Sequence, residues 1–334
     1  MDQMAPPRAT VPVTLRALYA PVAEELVAVE ELLRRELSND DPFVDRLVKH
    51  GFRLGGKRLR PALVLLTAQA CGGIGADHTV LAAMVELIHT ATLIHDDVLD
   101  EATLRRHLDT VNARWDNEAS ILLGDYLFAR AICMASSLDD PFATRSIGRS
   151  ARTMCEGELR QVQSRGNYDL TEADYVQIIA GKTAALTSCC CQVGAHYAGA
   201  APEVRETLAR YGHDLGVAFQ IADDILDLSG DEATAGKSLG TDLLKQKATL
   251  PLIRLLEVID PPQRQELVSL LASSDNHQRE TLRPWFERFD AIGYARQKAQ
   301  CYTRRAVTEL SSLAATPAKE SLVGLTSFVV TRCQ

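Results

Sequence analysis

Several features that define common protein classes are missing from this sequence of 334 residues. Segments in which β-branched apolar residues alternate with polar ones, as they do in strands, are almost absent. No uncharged apolar run reaches the roughly 18 residues that a membrane span needs, and the best candidate, 80–95, contains Glu86 and His89. The N-terminus lacks the basic and apolar segments of a secretion signal. We therefore expect a soluble, cytoplasmic protein with no membrane span.

An excess of positive charge is missing as well. The chain has 36 Lys and Arg residues against 44 Asp and Glu residues, which gives a net charge of −8. No overall positive field would gather the phosphates of a nucleic acid, so nucleic-acid binding is not expected.

The eight cysteines form no CxxC pair. Cys189–Cys191 lie in a helical pattern, in which adjacent side chains point to different faces. We interpret the cysteines as small, buried, reduced residues of a protein from a reducing compartment.

Helical periodicity dominates what is present, and 46% of the residues are hydrophobic. We predict a disordered N-terminus over 1–12 and one all-α domain over 13–334, a large helical bundle of roughly a dozen helices. The one long polar break, 229–247, is a candidate lid. The predicted helices are 15–37, 61–71, 78–102, 117–138, 141–164, 171–199, 202–228, 249–258, 262–273, 278–290, 293–313 and 317–331.

Two aspartate clusters stand at the ends of long apolar helical segments, DDVLD at 96–100 and DDILD at 223–227. Residues four apart share a helix face, so Asp96 lies beside Asp100 and Asp223 lies beside Asp227. A single such string is also typical of a solvated helix end. Two that face each other would bind a hard cation such as Mg²⁺, which takes one or two carboxylates and fills its other positions with water and phosphate oxygens.

Basic residues near these clusters suit a diphosphate. GGKRLRP places Lys57, Arg58 and Arg60 in a glycine-led turn before a helix N-terminus, although an ordinary basic loop would read the same way. Arg105 and Arg106 follow the first cluster closely. Lys182, Lys237 and Lys247 complete the set, and each of these lysines alone is typical of a surface residue. His89 lies two turns before Asp96 on the same face and also fits a hydrogen-bonded core histidine, while His95 adjoins the cluster.

These motifs together resemble the trans-isoprenyl diphosphate synthases, or polyprenyl synthetases. GGKRLRP, ELIHTATLIHDDVLDEATLRR, GDYLFARA, GKTAAL and GVAFQIADDILDLSGDEATAGKSLGTDLLKQKATLP have that family's order and spacing over 55–252. The resemblance implies the isoprenoid synthase fold, with helices around a central cavity, and a homodimer. It implies that Mg²⁺, three ions per active site with substrate bound, helps an allylic diphosphate to ionise so that isopentenyl diphosphate can add to the cation.

The resemblance also implies roles for individual residues. Asp96, Asp100 and Asp223 would be metal ligands, with Asp97, Asp224 and Asp227 in supporting roles. The isopentenyl diphosphate would be held by Lys57, Arg60, His89 and Arg106. The allylic diphosphate would be contacted by Arg105, Lys182, Lys237 and Lys247, with Gln220 lining the site.

Two positions depart from the family's pattern. His107 follows the arginine pair where the family usually has glycine, and Gln246 precedes Lys247 where glycine is also common. Neither change removes a charged group, so we expect activity to survive.

Product length depends on the side chains below the first cluster. Thr92 and Ala91, four and five residues before Asp96, are small, whereas short-chain members of the family carry an aromatic residue around here. We predict a long all-trans product of C30 or more, as in heptaprenyl and octaprenyl synthases. The floor could instead be formed by a neighbouring helix, at Met134, Met154 or Leu159. The alternatives are a C15 or C20 synthase, a class I terpene cyclase and a non-catalytic subunit of a heteromeric synthase.

Overall fold

The computed structural model describes residues 14–53, 56–230, 239–272 and 278–331. They are almost entirely helical, apart from one two-stranded antiparallel hairpin of β1 (Leu104–Arg105) and β2 (Leu108–Asp109). The helices are α1 Leu15–Leu18, α2 Ala23–Glu36, α3 Pro42–Arg53, α4 Leu59–Cys71, α5 Ala76–Leu99, α6 Val111–Arg114, α7 Asn117–Ser136, α8 Phe142–Gln163, α9 Glu172–Ile179, α10 Ala185–Tyr197, α11 Pro202–Ser229, α12 Thr241–Leu244, α13 Leu250–Val258, α14 Pro261–Leu271, α15 Gln278–Arg288, α16 Ala291–Glu309 and α17 Pro317–Thr331. Short 3₁₀ turns span Ala20–Val22 and Leu310–Ser312, and a π-helical turn spans Ala180–Ala184.

Local sequence signals set many of these boundaries. Asp116 caps α7 by accepting a hydrogen bond from the backbone N–H of Ala119 at 2.7 Å. Thr171 and Asp174 form a capping box at the start of α9. Pro202 stands at the first position of α11, where its missing N–H costs nothing. Because a proline inside a helix removes a hydrogen bond, Pro21 explains why α1 and α2 are separate helices rather than the one predicted over 15–37.

The longest apolar helices make the core. α5 packs along α7 on one side and against α4 and α2 on others, while α10 lies against α4, α8 and α11. Leu63, Leu87, Ile88 and Leu215 are among the side chains fully removed from solvent in this core. A smaller apolar cluster joins the end of α11 to α12–α15. This packing brings the C-terminal ends of α5 and α11, which carry the two aspartate clusters, to one region of the bundle.

Three local predictions were wrong. Helix α3 was not predicted, although Asp41 and Pro42 are a recognisable start signal ahead of its apolar positions. The hairpin at Leu104–Asp109 was also missed, because two-residue strands leave no alternating pattern to detect. The segment predicted as one helix over 171–199 is α9, the π-helical turn and α10 in succession.

The interpretation of the cysteines as buried holds only in part. Cys189–Cys191 are buried in α10, but Cys133, Cys155 and Cys301 are exposed, and all the cysteines of the described ranges are free. Cys133 and Cys155 lie on α7 and α8, at positions that the described part of the chain leaves exposed. Cys333 and the predicted disordered segment 1–12 lie outside the described residues.

One described helix is long and apolar enough to cross a membrane by length and composition. It is α7, with a mean hydropathy of 1.3, and 39% of it is buried within the structure. A helix that packs along α5 in a folded core meets the same criterion, so this is weak evidence for a span.

Candidate active site

The first aspartate cluster closes the C-terminal end of α5, with Asp100 as the C-cap residue. Asp97 is buried and accepts a forked set of hydrogen bonds from Arg105, with the Arg105 Nε at 2.9 Å and Nη2 at 2.8 Å from its Oδ1. Burial raises the pKa of Asp97 although the Arg105 charge opposes that shift. Asp97 therefore anchors Arg105 and the hairpin that carries it to the end of α5.

Asp96 and Asp100 are turned towards lysines. The Lys247 Nζ lies 3.2 Å from an Asp100 oxygen, and the Lys182 Nζ lies 3.9 Å from an Asp96 oxygen. Burial raises the pKa of Asp96, and the nearby Glu158 and Asp100 carboxylates add to this effect against the opposing charge of Lys182. Burial also acts upwards on the pKa of Asp100, but Lys247 and Lys182 outweigh it and the net pKa is lowered.

The second cluster lies near the end of α11 and is held by neutral donors. Asp224 accepts hydrogen bonds from the Tyr175 hydroxyl at 2.6 Å and from the Gln220 amide at 2.8 Å. Burial raises the pKa of Asp224, and the Asp242 carboxylate adds to this. Gln220 in turn accepts a hydrogen bond from Thr183 at 2.7 Å, so it positions Asp224 as well as lying at the site.

A chain of contacts joins the two clusters. Asp227 accepts a hydrogen bond from the backbone N–H of Asp242 at 3.1 Å, and the Asp242 carboxylate lies 3.3 Å from the Lys247 Nζ. The same Lys247 ammonium contacts Asp100. Since Asp100 and Asp227 each contact one end of this Asp242–Lys247 pair, the ends of α5 and α11 face each other across a short gap.

Lys182 is presented by the π-helical turn rather than by a regular helix. Its Nζ lies 2.6 Å from Glu158 of α8, and its pKa is raised because Asp96 and Glu158 outweigh the effect of burial. α8 approaches this turn closely at Gly157, where an added Cβ would stand 2.5 Å from the backbone nitrogen of Lys182. A π-helical turn widens the helix by one residue, which here directs Lys182 at the first aspartate cluster.

A group of basic side chains surrounds His89. Burial lowers the pKa of His89 well below its usual value, and Arg60, Arg105 and Arg106 add to the effect. The Arg60 Nε is buried and finds no hydrogen-bond partner among the described residues. Arg106 lies against Gly56, where an added Cβ would stand 2.0 Å from its Nη2. A half-buried arginine whose buried Nε lacks a partner among the described residues, beside a neutral histidine and further arginines, forms a pocket suited to a dianionic group.

Three other basic residues named from the sequence, Arg58, His95 and Lys57, contact protein groups in this structure. Arg58 bonds to the buried Glu86 at 2.7 Å and also to Glu30, so it joins α4 to α2 and α5. His95 points to α7, with its Nε2 3.2 Å from the carbonyl oxygen of Ile121. The Lys57 ammonium lies 5.5 Å from the centre of the Phe328 ring.

The two departures from the family pattern share one backbone property. His107 has φ of +62° in the hairpin turn, and Gln246 has φ of +52° just before Lys247. The left-handed region is readily adopted by glycine and costs other residues about 1 kcal/mol or more. Glycine at these positions would therefore serve the turn geometry, and its replacement leaves the charged neighbours in place.

The donor set suits a hard divalent cation, although the described residues contain no preassembled group of three His, Cys, Asp or Glu side chains. Mg²⁺ needs only one or two protein carboxylates when phosphate oxygens and water supply the rest. Asp96 and Asp100 carry carboxylates at the end of α5 and Asp223 carries one near the end of α11, and oxygen ligands of this kind suit a hard cation. Burial and, to a smaller extent, neighbouring carboxylates raise the pKa of Asp96. A bound divalent cation would offset both effects by stabilising the charged carboxylate.

The residues predicted to limit the chain length, Ala91 and Thr92, lie in α5. Ala91 is fully buried, and Thr92 is half-buried with its hydroxyl donating to the carbonyl of His89 at 2.8 Å. Of the alternative floor residues, Met134 and Met154 are buried, but Leu159 is 70% exposed. Leu159 therefore cannot form an interior floor within one chain.

Several residues of this site were not predicted from the sequence. Glu158, Tyr175 and Asp242 each contact a predicted residue, and an Arg165 nitrogen lies 3.8 Å from Asp100. They stand far from the aspartates in sequence and carry no local motif, so the tertiary contacts alone identify them. Lys237, predicted to contact the allylic diphosphate, lies outside the described residues, as do residues 231–238 of the candidate lid.

Comparison with known proteins agrees with these observations. The polyprenyl synthetase family profile matches residues 41–288. The chain is 38% identical over 318 residues to the all-trans-nonaprenyl-diphosphate synthase (geranyl-diphosphate specific) of Rhodobacter capsulatus, covering 95% of this chain and 98% of that protein. It superposes with a TM-score of 0.90 on a decaprenyl diphosphate synthase from the same organism, at 35% identity, covering 96% and 100% of the two chains.

A second solved structure gives the same TM-score of 0.90 at 32% identity, covering 95% of this chain and 98% of the other. It is a polyprenyl synthase from Caulobacter crescentus complexed with calcium and isoprenyl diphosphate. The predicted isoprenoid synthase fold is confirmed by these superpositions.

Proposed function

The chain belongs to the polyprenyl synthetase family and is a prenyl-transferring enzyme, and from this premise we propose that it extends an allylic diphosphate with isopentenyl diphosphate to an all-trans product of C30 or longer. The observation that carries the proposal is the juxtaposition of two aspartate clusters, joined through Lys247 and Asp242, with the arginine pocket around His89. One region is suited to a metal-bound diphosphate and the other to a second diphosphate, as a condensation of two such substrates requires.

Mg²⁺ would be held by Asp96 and Asp100 on one side and Asp223 on the other, and when bound it would supply Lewis-acid charge to the leaving diphosphate. The related structure complexed with calcium and isoprenyl diphosphate supports the use of a divalent ion together with a diphosphate. Three ions per site, as the resemblance implies, would leave each with only one or two of these carboxylates.

The chain's own residues would bind and orient the two diphosphates. Lys182 and Lys247, now paired with the aspartates, exchange those carboxylates for diphosphate oxygens and stabilise charge on the departing group. Lys57, Arg60 and Arg106 orient isopentenyl diphosphate, with neutral His89 donating one hydrogen bond. Arg105 would contact the allylic diphosphate, while its hydrogen bonds to Asp97 hold it and the hairpin at the end of α5. The apolar side chains of α5 exclude water from the allylic cation.

A long product is supported by the side chains below the aspartates and by the relatives. Ala91 and Thr92 leave no aromatic barrier one turn below Asp96, and the deeper Ile88 is also aliphatic. The nonaprenyl and decaprenyl diphosphate synthases described above match this chain over nearly its whole length. A short-chain synthase would need a bulky floor, for which Met134 and Met154 remain the candidates.

A homodimer, in the cytoplasm, is the assembly we propose. The outer face of α7 exposes Ile121, Leu122 and Ile132, and the neighbouring face of α8 exposes Leu159 and Val162. Single exposed apolar residues are ordinary, but five on adjoining helices form a patch typical of an interface. A second copy of the same patch would cover it.

The test is elongation by the purified chain alone. Incubated with Mg²⁺, isopentenyl diphosphate and a C10, C15 or C20 allylic primer, it should release products whose masses extend to C30 or beyond. Products that stop at C15 or C20 would disprove the long-chain assignment, and a cyclised hydrocarbon would support a terpene cyclase. No elongation without an added partner would indicate a subunit of a heteromeric synthase.

Asp96→Ala serves as the site control in this assay. It should lower turnover by about 100-fold or more, since one metal ligand is lost, while the far-ultraviolet spectrum stays that of the folded protein. Turnover at the wild-type rate would refute the assignment of Asp96 as a ligand.

A further inference from the structure

A second basic cavity lies on α3, and no residue of it belongs to the site described above. It has a volume of about 360 Å³ and is lined by Arg46, Lys49, His50, Arg53, Arg114 and Trp115. Four of these six side chains carry a permanent positive charge, and none of the described residues that line the cavity is acidic. In a chain of net charge −8 this is a local reversal of sign. We refer to these six residues as the α3 pocket.

Helical spacing brings the α3 charges together. Arg46, Lys49 and Arg53 are three and four residues apart, so they form one row along an exposed face of α3. The opposite face buries Leu47 and Val48. Like charges in such a row repel each other by a few tenths of a kcal/mol per pair, a cost that a bound anion would remove.

Only one of these charges is matched by a carboxylate. The Lys49 Nζ lies 2.7 Å from Asp45, and this hydrogen bond, with Arg46 adding a smaller effect, holds the pKa of Asp45 below its usual value. Within the described ranges, no carboxylate lies within 4.0 Å of a guanidinium nitrogen of Arg46, Arg53 or Arg114. Three guanidinium groups therefore line the cavity with no acidic partner at ion-pair distance in the described part of the chain.

The guanidinium group of Arg114 is held in place by His50 and Trp115. The buried His50 lies 2.8 Å through its Nε2 from the carbonyl oxygen of Asp109, and a carbonyl only accepts, so this nitrogen is the donor. The His50 Nδ1 is then the acceptor for the Arg114 Nη1 at 3.3 Å. The Arg114 guanidinium also lies 5.0 Å from the centre of the Trp115 ring. Arg114 is thus oriented before any ligand arrives, which lowers the entropic cost of binding.

We propose that the α3 pocket is a binding site for a phosphate group, carried either by a free phosphate or diphosphate or by the headgroup of an anionic lipid. Guanidinium forks bind phosphate oxygens in pairs, and a dianion matches three unpaired guanidinium charges better than a single carboxylate does. The proposal does not depend on the enzyme's substrates or product length.

The solution arm of the test uses inorganic pyrophosphate as the probe. The chain has two tryptophans, and in a Trp285→Phe background the emission comes from Trp115, which stacks on Arg114. Pyrophosphate added with a chelator should change this emission saturably. Arg46→Glu/Arg53→Glu should weaken the response by at least about tenfold, because two charged hydrogen-bonding groups are lost. Arg288→Glu/Arg304→Glu changes the net charge equally at exposed positions of α15 and α16 and should leave the response intact.

The lipid arm measures cosedimentation of the full chain with vesicles of phosphatidylcholine alone or mixed with phosphatidylglycerol. Binding to the anionic vesicles that Arg46→Glu/Arg53→Glu abolishes and Arg288→Glu/Arg304→Glu preserves identifies a headgroup as the source. If the chain responds to pyrophosphate but does not bind the anionic vesicles, the ligand is a free phosphate or diphosphate. If neither probe distinguishes the two double variants, the proposal is overturned. Both variants should retain prenyl transfer, which shows that they are folded.

Discussion

At the residue scale, backbone conformation accounts for two unusual side chains, His107 and Gln246, next to the proposed phosphate-binding residues Arg106 and Lys247. Arg106 and His107 both have positive φ, as a two-residue hairpin turn between β1 and β2 requires, and Gln246 has the same conformation before Lys247. The sequence shows only that glycine is missing at 107 and 246. The structure shows why glycine would suit both positions and why the charged neighbours keep their places without it.

This strain leads to a stability prediction. His107→Gly should raise the free energy of unfolding by about 0.5–1 kcal/mol, since relief of the left-handed conformation exceeds the extra entropy of glycine in the unfolded chain. Urea denaturation of the two proteins measures the difference. The same substitution at His213, which lies within α11, should instead destabilise the protein by a similar amount. If His107→Gly and His213→Gly destabilised the protein equally, the backbone at His107 would not be strained.

At the scale of secondary-structure elements, the contact between α8 and the π-helical turn sets the position of Lys182. Gly157 has no room for a Cβ, which would lie 2.5 Å from the backbone nitrogen of Lys182 and 2.8 Å from the carbonyl carbon of Gly181. Both neighbours are backbone atoms, so they can yield only if the helices move apart.

We predict that Gly157→Ala lowers kcat at least tenfold and costs about 1–3 kcal/mol of stability, because Lys182 is displaced from Asp96 and Glu158. Steady-state kinetics and thermal unfolding check the two effects. Gly148→Ala is the matched control on the same helix, since nothing lies within 4 Å of its added Cβ. It should leave kcat unchanged and, as alanine favours helix, should not reduce stability. Wild-type kcat in Gly157→Ala would show that this close contact does not position Lys182.

Helix α5 is the other element with a testable role. If the growing chain runs along its apolar face, Thr92→Phe should place an aromatic ring one turn below Asp96 and shorten the product by several five-carbon units. Mass spectrometry of the released diphosphates measures the distribution. Thr92→Val, which keeps the volume and removes only the hydroxyl bonded to His89, should leave the length unchanged. An unaltered distribution in Thr92→Phe would place the floor elsewhere, with Met134 and Met154 next to be tested.

At the scale of the whole molecule, one surface of the bundle is unusually apolar. The exposed side chains of α7 and α8 include Leu122 at 59% and Leu159 at 70%, and the exposed Cys133 and Cys155 lie on the same two helices. Burial of this surface against a second copy would also explain cysteines that an isolated chain leaves open to oxidation.

Leu122→Glu/Ile132→Glu should therefore convert a dimer of about twice the 36.6 kDa chain mass into monomers, because charges buried in an apolar interface cost several kcal/mol each. Analytical ultracentrifugation gives the mass. Val27→Glu/Val307→Glu adds the same charge at exposed apolar positions of α2 and α16 and should keep the dimer. If the unmodified protein had the mass of one chain, the homodimer proposal would be disproved.

The helical class, the two aspartate clusters and most basic candidates follow from the sequence alone, since helical periodicity and i, i+4 spacing are local properties. Contacts between distant segments are not local, so only the tertiary structure places Asp100 and Asp227 on one Asp242–Lys247 pair and adds Glu158, Tyr175 and Arg165 to the site. Only the tertiary structure also shows that Arg58 is bonded to Glu86 and that Leu159 faces outwards. It shows as well that the basic side chains of α3 share a pocket with Arg114. Most of these contacts join residues tens of positions apart, and the packing of whole helices brings them together.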